Sequence, residues 1–327
     1  MRQNFLFTAA ITALCAISCS LTETEAVNTS SPAESVTLEV SLSAAYTKLT
    51  DTGDETGISG LQVFVFNGKG DIDAYASGGT SSVSLQCPAG DKLIAAVVNA
   101  PDLSSVSSEQ QLEESVSLLS DNGTSGFVMY GSKSEFIAAS SKVEVEVSRL
   151  VARISIHKIT NALAVTQHRD KDIEITGIYL VNAAGDGLYC NQEPYQPAVW
   201  HNWRQMDESP LDLISDTDVS QVIGPGESYG TSHYFYCYPN PSVTDSSEED
   251  SSPRYTRLVV ETVVSGNKYY YPVSIEGVEG NRTYEINELK ITRLGSDSPD
   301  IPVSVQEASF TVTVAEWQPG TSESVEI

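Results

Sequence analysis

Basic residues are scarce in this chain: 18 Lys and Arg stand against 44 Asp and Glu, a formal net charge of −26. Such an excess of negative charge argues against binding nucleic acid or anionic lipid head groups through charge. Cysteine is also scarce, with five in 327 residues. Cys15 and Cys19 lie at the extreme N-terminus, which leaves Cys87, Cys190 and Cys237, an odd number that cannot complete a disulfide framework. They read as buried free thiols, with a Cys190–Cys237 pair as the alternative. Chemistry-bearing patterns are missing too. There is no glycine-rich phosphate loop and no nucleophile elbow. His201, His233 and Cys237 lack the spacing of a zinc site. Carboxylates are too abundant for any pair to mark a glycosidase. The reading is a non-enzyme with no cofactor and no metal. Tyr195, Trp200 and Trp203 could stack on a sugar ring, but they read more simply as core aromatics.

Helical periodicity is rare as well. The clearest case is Glu109 to Leu119, where Leu112, Val116 and Leu119 would share a face and Ser107 or Ser108 would cap the start. What the chain does hold is alternation, and 40% hydrophobic residues to build a core with it. From Val36 to Ala44 every second residue is apolar (Val36, Leu38, Val40, Leu42, Ala44), with Thr37, Glu39, Ser41 and Ser43 between them. Strand side chains alternate between faces, so this segment has one apolar and one wet face. Leu61 to Phe66 is a second strand, and Asn67-Gly68 signals a hairpin leading to Asp71–Ala76. Val83–Cys87 and the apolar run Leu93–Val98 are further strands, the latter placed centrally with both faces buried.

From Lys142 to His157 the apolar phase changes: Val143, Val145 and Val147 share one parity, and Leu150, Ala152, Ile154 and Ile156 the other. A one-residue slip turns every side chain to the opposite face, so a bulge or crossing falls near Ser148–Arg149. The expected domain boundary lies there, dividing an N-terminal β domain (49–148) from a C-terminal one (149–327). Further strands are expected at Ile173–Val181, His233–Tyr238, Tyr255–Val264, Lys268–Ile275 and Arg282–Arg293, with Gly266-Asn267 as a hairpin turn. Thr244–Pro253 reads as a solvated loop. The expected fold class is mainly β: two tandem β-sandwich (transthyretin-like) domains with one or two short helices.

The two ends carry the remaining signals. Arg2 followed by the apolar run Phe5–Ile17, too short for a permanent span, is a secretory signal. Leu14-Cys15-Ala16-Ile17-Ser18-Cys19 resembles a bacterial lipobox, with Cys19 as the lipidated residue. Glu23 and Glu25 follow in a Ser/Thr/Glu-rich tether reaching the first strand. No other segment could span a membrane. Lys48 is the sole Lys or Arg between Cys19 and Lys69, at the edge of a polar loop running from Leu49 to Gly60, where a protease would cut. At the far end Phe310, Val312 and Val314 repeat the period-two pattern and lead to Trp317.

Together these stretches resemble the fimbrillin family, the major subunits of type V pili. The matching stretches are the lipobox at Cys19, the first strand ending near Lys48, Leu61-Gln-Val-Phe-Val-Phe66 and Phe127-Val-Met-Tyr130, followed by Val147-Ser-Arg-Leu-Val-Ala-Arg153 and Phe310-Thr-Val-Thr-Val-Ala-Glu-Trp317. The resemblance implies an outer-membrane lipoprotein precursor delivered to the cell surface by the lipoprotein export machinery, with the export tag of Bacteroidia-type surface lipoproteins. A trypsin-like protease would then cut between Lys48 and Leu49 and remove the first strand. Phe310 to Trp317 would enter the vacated groove of another copy or a related pilin, giving a head-to-tail fimbrium that supports adhesion or biofilm. Members of the family usually present Arg at the cut; this chain presents Lys48. The physics agrees with such a scheme. An opened groove exposes unpaired backbone, and large aliphatic side chains refilling it contribute on the order of 10 kcal/mol before ordering costs. A head-to-tail contact that does not close propagates as a filament. The alternatives are an anchor or tip subunit of the same pilus, or a monomeric surface lipoprotein that binds glycan or host protein.

Overall fold

Leu61 to Phe66 contributes a buried residue at every position, which an alternating, one-sided strand cannot do. The reason is visible in the computed structural model, which describes residues 35–43, 55, 57–79, 81–190, 195–201, 211–245, 254–301, 307–317 and 325–326. These residues belong to one compact unit. Strands β2 (Leu61–Asn67), β3 (Ile72–Gly78), β5 (Gly90–Val98), β7 (Met129–Ile137) and β9 (Ser148–Arg149) form an antiparallel sheet in the order β3-β2-β5-β7-β9. Val63, Val65, Ile94 and Ala96 point to one apolar cluster; Phe64, Phe66, Ala95 and Val97 point to another. Both faces are covered, so Leu61–Phe66 of β2 and Ile94–Val98 of β5 are buried at every position, Gln62 included.

The first cluster is roofed by a three-stranded sheet of β4 (Ser82–Pro88), β1 (Ser35–Leu42) and β8 (Ser141–Val145), in the order β4-β1-β8. The second cluster continues into the C-terminal half. There β10 (Ala152–Ile156) lies between the antiparallel strand His233–Cys237 and the parallel strand Arg282–Ile286, and the sheet continues through Val312–Glu316 to Val325–Glu326. A further antiparallel group joins Ile173–Val181, Thr256–Val264 and Asn267–Ile275. The two halves are stitched by β6 (Val116–Leu118), which pairs with Asp186–Leu188.

The phase change near Ser148 has a structural cause. The chain leaves β8, crosses β7 and enters β9, three residues before β10 begins in the C-terminal sheet. It crosses at Gly131, where an added Cβ would stand 1.9 Å from the Glu146 carbonyl oxygen, so only glycine allows the approach.

Several expectations are corrected. The helix is a single turn, α1 (Glu109–Glu113), capped by the Ser108 hydroxyl accepting from the Gln111 amide. Beyond it Val116 turns outward on β6, while Leu112 and Leu119 are buried. Pairing with Asp186–Leu188 outweighs the local helical pattern. The Asn67 turn is wider than a two-residue hairpin. The Asn67 side chain accepts from the Lys69 and Asp71 amides, and Gly70 rather than Gly68 takes the left-handed conformation (φ 81°). The later hairpin turns on Ser265-Gly266, one residue before the expected pair. Arg282–Arg293 is two short strands, Arg282–Ile286 and Leu289–Ile291. Within the polar loop Leu49–Gly60, expected to be exposed, Glu55 is buried. Cys87, Cys190 and Cys237 are all buried and unpaired.

Candidate functional site

Alternation places one row of β1 side chains inward. Leu38 and Val40 are fully buried, Val36 nearly so, and Leu42 is half-buried against the same cluster. Their neighbours include Leu85, Val143 and Val145 of the flanking strands and Val63 and Ile94 of the sheet below. Burial of each large aliphatic side chain is worth roughly 1.5–3 kcal/mol. The outward row is polar: Glu39 meets Lys142 at 3.1 Å, and Gln86 of β4 donates to the Thr37 hydroxyl at 2.7 Å.

Both backbone edges of β1 are occupied. It runs antiparallel to β4, with Val36 opposite Cys87, Leu38 opposite Leu85 and Val40 opposite Val83. It runs parallel to β8, with Val40 opposite Val143 and Leu42 opposite Val145. Among the described residues of this sheet, β1 is the strand that joins β4 to β8. The ladder ends where the Leu42 amide donates to the Ser81 carbonyl and the Ser43 amide to the Val145 carbonyl. Ala44, the pair Lys48-Leu49 where cleavage is expected, and Cys19, where lipidation is expected, lie outside the described residues.

The C-terminal strand occupies a seat in its own chain. Val312–Glu316 pairs antiparallel with Arg282–Ile286, Val312 opposite Ile286 and Val314 opposite Tyr284. Val312 is 9% exposed and Trp317 2%, whereas Phe310 and Val314 are half-buried and Thr311 is exposed. The chain therefore already buries two of the four residues expected to be donor side chains, Val312 and Trp317, and packs the other two, Phe310 and Val314, partly against the same core. Along the strand's other edge, among the described residues, lie Val325–Glu326.

Trp317 sits in a charged nest that sequence reasoning missed. The Arg149 guanidinium lies 4.4 Å from the centre of its ring and that of Arg153 lies 5.3 Å away, while Tyr236 and Phe127 pack against the ring. Arg149 also donates to the Trp317 carbonyl at 3.4 Å. Balancing these cations is Glu55, 1% exposed. Its Oε2 accepts from Arg153 at 3.1 Å, its Oε1 from the Tyr236 hydroxyl at 2.5 Å, and its backbone carbonyl from Arg149 at 3.3 Å. Burial, with the Glu55 carboxylate alongside, holds the Tyr236 phenol far above its ordinary range. The available sequence signal was Arg149 and Arg153 themselves. They stand four apart in an extended apolar stretch, hence on one face, and buried guanidiniums require an anion.

A separate cleft of about 720 Å³ lies between Ser148 and Leu150 on one side and Asn240, Asn281 and Arg282 on the other. Its buried carboxylate, Asp186, accepts from the Tyr195 hydroxyl at 2.7 Å and from the Ala198 and Val199 amides. Three hydrogen bonds from within the chain thus converge on this carboxylate. Trp200 donates to the Pro197 carbonyl at 2.9 Å, and Trp203 lies outside the described residues.

No family model and no curated protein match this chain. Solved structures do. A "putative cell adhesion protein" of Parabacteroides distasonis superposes with a TM-score of 0.63 at 16% identity, covering 88% of this chain and 100% of that one. A fimbrilin of Porphyromonas gingivalis W83 gives 0.61 at 17% identity over 88% and 99% of the two chains. The tip fimbrial protein Mfa3 of Porphyromonas gingivalis, truncated at its C-terminus, gives 0.53 at 15% identity over 87% and 100%. Across nearly its whole described length, this mainly β chain is built on the fimbrillin fold.

Proposed function

We propose that this protein is a structural subunit of a surface pilus, made as a precursor lipidated at Cys19 and cleaved between Lys48 and Leu49. Loss of β1 then lets a strand of another copy take its place. The observation that carries this reading is the position of β1 as the middle strand between β4 and β8, with its apolar row buried. Removing a middle strand leaves two rows of unpaired backbone groups and an apolar floor, a surface that demands a new strand. Strand addition supplies both needs at once. The fold shared with fimbrial proteins supports the same reading. Phe310, Val312 and Val314 supply a period-two apolar row to match Val36, Leu38 and Val40. The role is mechanical rather than catalytic, and it belongs to the shaft: an anchor would keep β1, and a tip would need no donor strand.

A second reading, a monomeric surface lipoprotein, is favoured by one observation. Val312 and Trp317 are already buried at home, so donation requires this strand to leave its own sheet. Treatment of the purified precursor with a lysine-specific protease separates the two. A subunit-spaced ladder on an unheated denaturing gel, with filaments under the electron microscope, is the expected result. A cleaved protein that remains one stable monomer establishes the second reading instead. The lipid is tested separately: Cys19→Ala should abolish incorporation of labelled fatty acid.

A further inference from the structure

Strand β3 carries one residue too many for its partner. Val65 of β2 lies opposite Ala74 and Phe66 opposite Ile72, so Asp73 is a bulged residue with no counterpart in the ladder. A bulge interrupts the pairing and re-aims the extra side chain. Here Asp73 turns toward the end of β2, where Asn67 stands directly opposite Lys92 of β5. Side chains of three neighbouring strands thus meet at one place. Asn67 and Lys92 have the parity of Val65 and Ile94, so they lie on the sheet face that β1 roofs. The Lys92 and Asp73 side chains are only 4% and 16% exposed. Lys92 Nζ donates to Asp73 Oδ2 at 2.5 Å, and Asp73 Oδ1 accepts from Asn67 Nδ2 at 3.1 Å. The Asn67 amide is fixed in this orientation, because its own oxygen accepts from the Lys69 and Asp71 amides.

We propose that Lys92 and Asp73 become joined by an amide bond, which the folded chain forms by itself. The contact with Oδ2 sets Nζ at about 3–3.5 Å from Cγ, the separation from which attack begins. One ammonium proton passes to Oδ2 and leaves a free amine beside a carboxylic acid. A site closed to water favours such neutral forms over ions. The nitrogen lone pair then attacks Cγ, and negative charge gathers on Oδ1, where Asn67 donates. A second proton moves from nitrogen to Oδ2, the Cγ–Oδ2 bond breaks, and Oδ2 leaves as water. The third proton stays on the amide nitrogen, and Oδ1 becomes the amide oxygen, still held by Asn67. Atoms and charge balance with no oxidant and no co-reactant. The product ties β3 to β5 across β2 and closes a loop between residues 19 positions apart. Such a tie would keep the sheet beneath β1 from shearing under load. It needs no strand exchange to form.

Trypsin digestion of the unfolded full chain tests this. Lys92 is the sole Lys or Arg between Lys69 and Lys133. A free Lys92 is cut, giving peptides 70–92 and 93–133. An amide-linked Lys92 is not cut, so peptide 70–133 should be recovered whole and lighter than its sequence by one water. Asp73→Ala removes the partner carboxyl and should restore both the cut and the full mass. Lys92→Arg keeps the charge without an amine that can condense, and should be cut at this position. Should Asp73→Ala fail to fold, the wild-type peptide and Lys92→Arg still decide the matter. Complete cutting at Lys92 in the wild type means an ion pair only and overturns the proposal. So does an uncut peptide of full mass, or an uncut peptide that persists in Asp73→Ala.

Discussion

Leu38 of β1 lies directly opposite Leu85 of β4 across an antiparallel ladder, and both side chains face the cluster above the central sheet. Leu38 is wholly enclosed. Leu38→Ala should therefore destabilise the precursor by about 2–5 kcal/mol, the range for truncating a buried leucine. Its neighbour Glu39 points outward to Lys142, both side chains well exposed, so Glu39→Ala should cost at most about 1 kcal/mol. Urea unfolding of the two variants checks the contrast. Equal effects would mean that β1 does not present the inward row described above.

The C-terminal strand separates home packing from exchange. Trp317→Ala should destabilise even the uncut protein by about 3–5 kcal/mol, as expected for a buried aromatic. Val312→Asp should do likewise, because it drives a carboxylate into the Ile286 seat. Thr311→Asp, at an exposed position, should leave stability unchanged. Charged substitutions at half-buried Phe310 and Val314 are the informative ones: they should weaken ladders more than they weaken the fold. Thermal melts run beside ladder assays decide it.

Processing should yield a mature chain beginning at Leu49. Lys48→Ala should leave the precursor uncut, since no other Lys or Arg lies between Cys19 and Lys69. N-terminal sequencing of assembled material is the check, and a start at Ser20 would exclude this site.

The thiols give a pH dependence. Burial pushes the Cys237 thiol from its ordinary 9.0 up to about 12 and the Cys190 thiol up to about 11. A folded-state value raised above the unfolded one means that the fold favours the protonated thiol. That contribution is complete below pH 9.0 and is lost as pH climbs toward about 12. Stability should thus decline in the alkaline range. Native protein at pH 8 should resist thiol-labelling reagents at Cys237 and accept them once unfolded, which mass spectrometry of the labelled peptides will show.

Much of the fold was legible because alternation reports directly on faces. β1 and β5 show their environments in their patterns, one-sided and two-sided, and the phase slip near Ser148 marks the crossing over Gly131. What was hidden depended on partners far along the chain. The helical spacing after Glu109 yields to a strand partner about seventy residues away, at Asp186–Leu188. Trp317 reads as the end of a spare strand until Arg149 and Arg153 are seen above it. Glu55 is one carboxylate among 44 acidic residues in a polar stretch, and no local pattern marks it as buried.

The mixed pairing of β1, antiparallel to β4 and parallel to β8, makes its slot directional. Antiparallel ladders alternate close and wide hydrogen-bonded pairs, whereas parallel ladders space slanted bonds evenly, so the two rims present different grids. A strand inserted backwards would meet each grid with the wrong spacing. In the proposed strand-exchange assembly, every subunit joined through this slot would face the same way along the fibre. Such a fibre has two chemically unlike ends, and it can lengthen only where the required slot or strand is still unfilled.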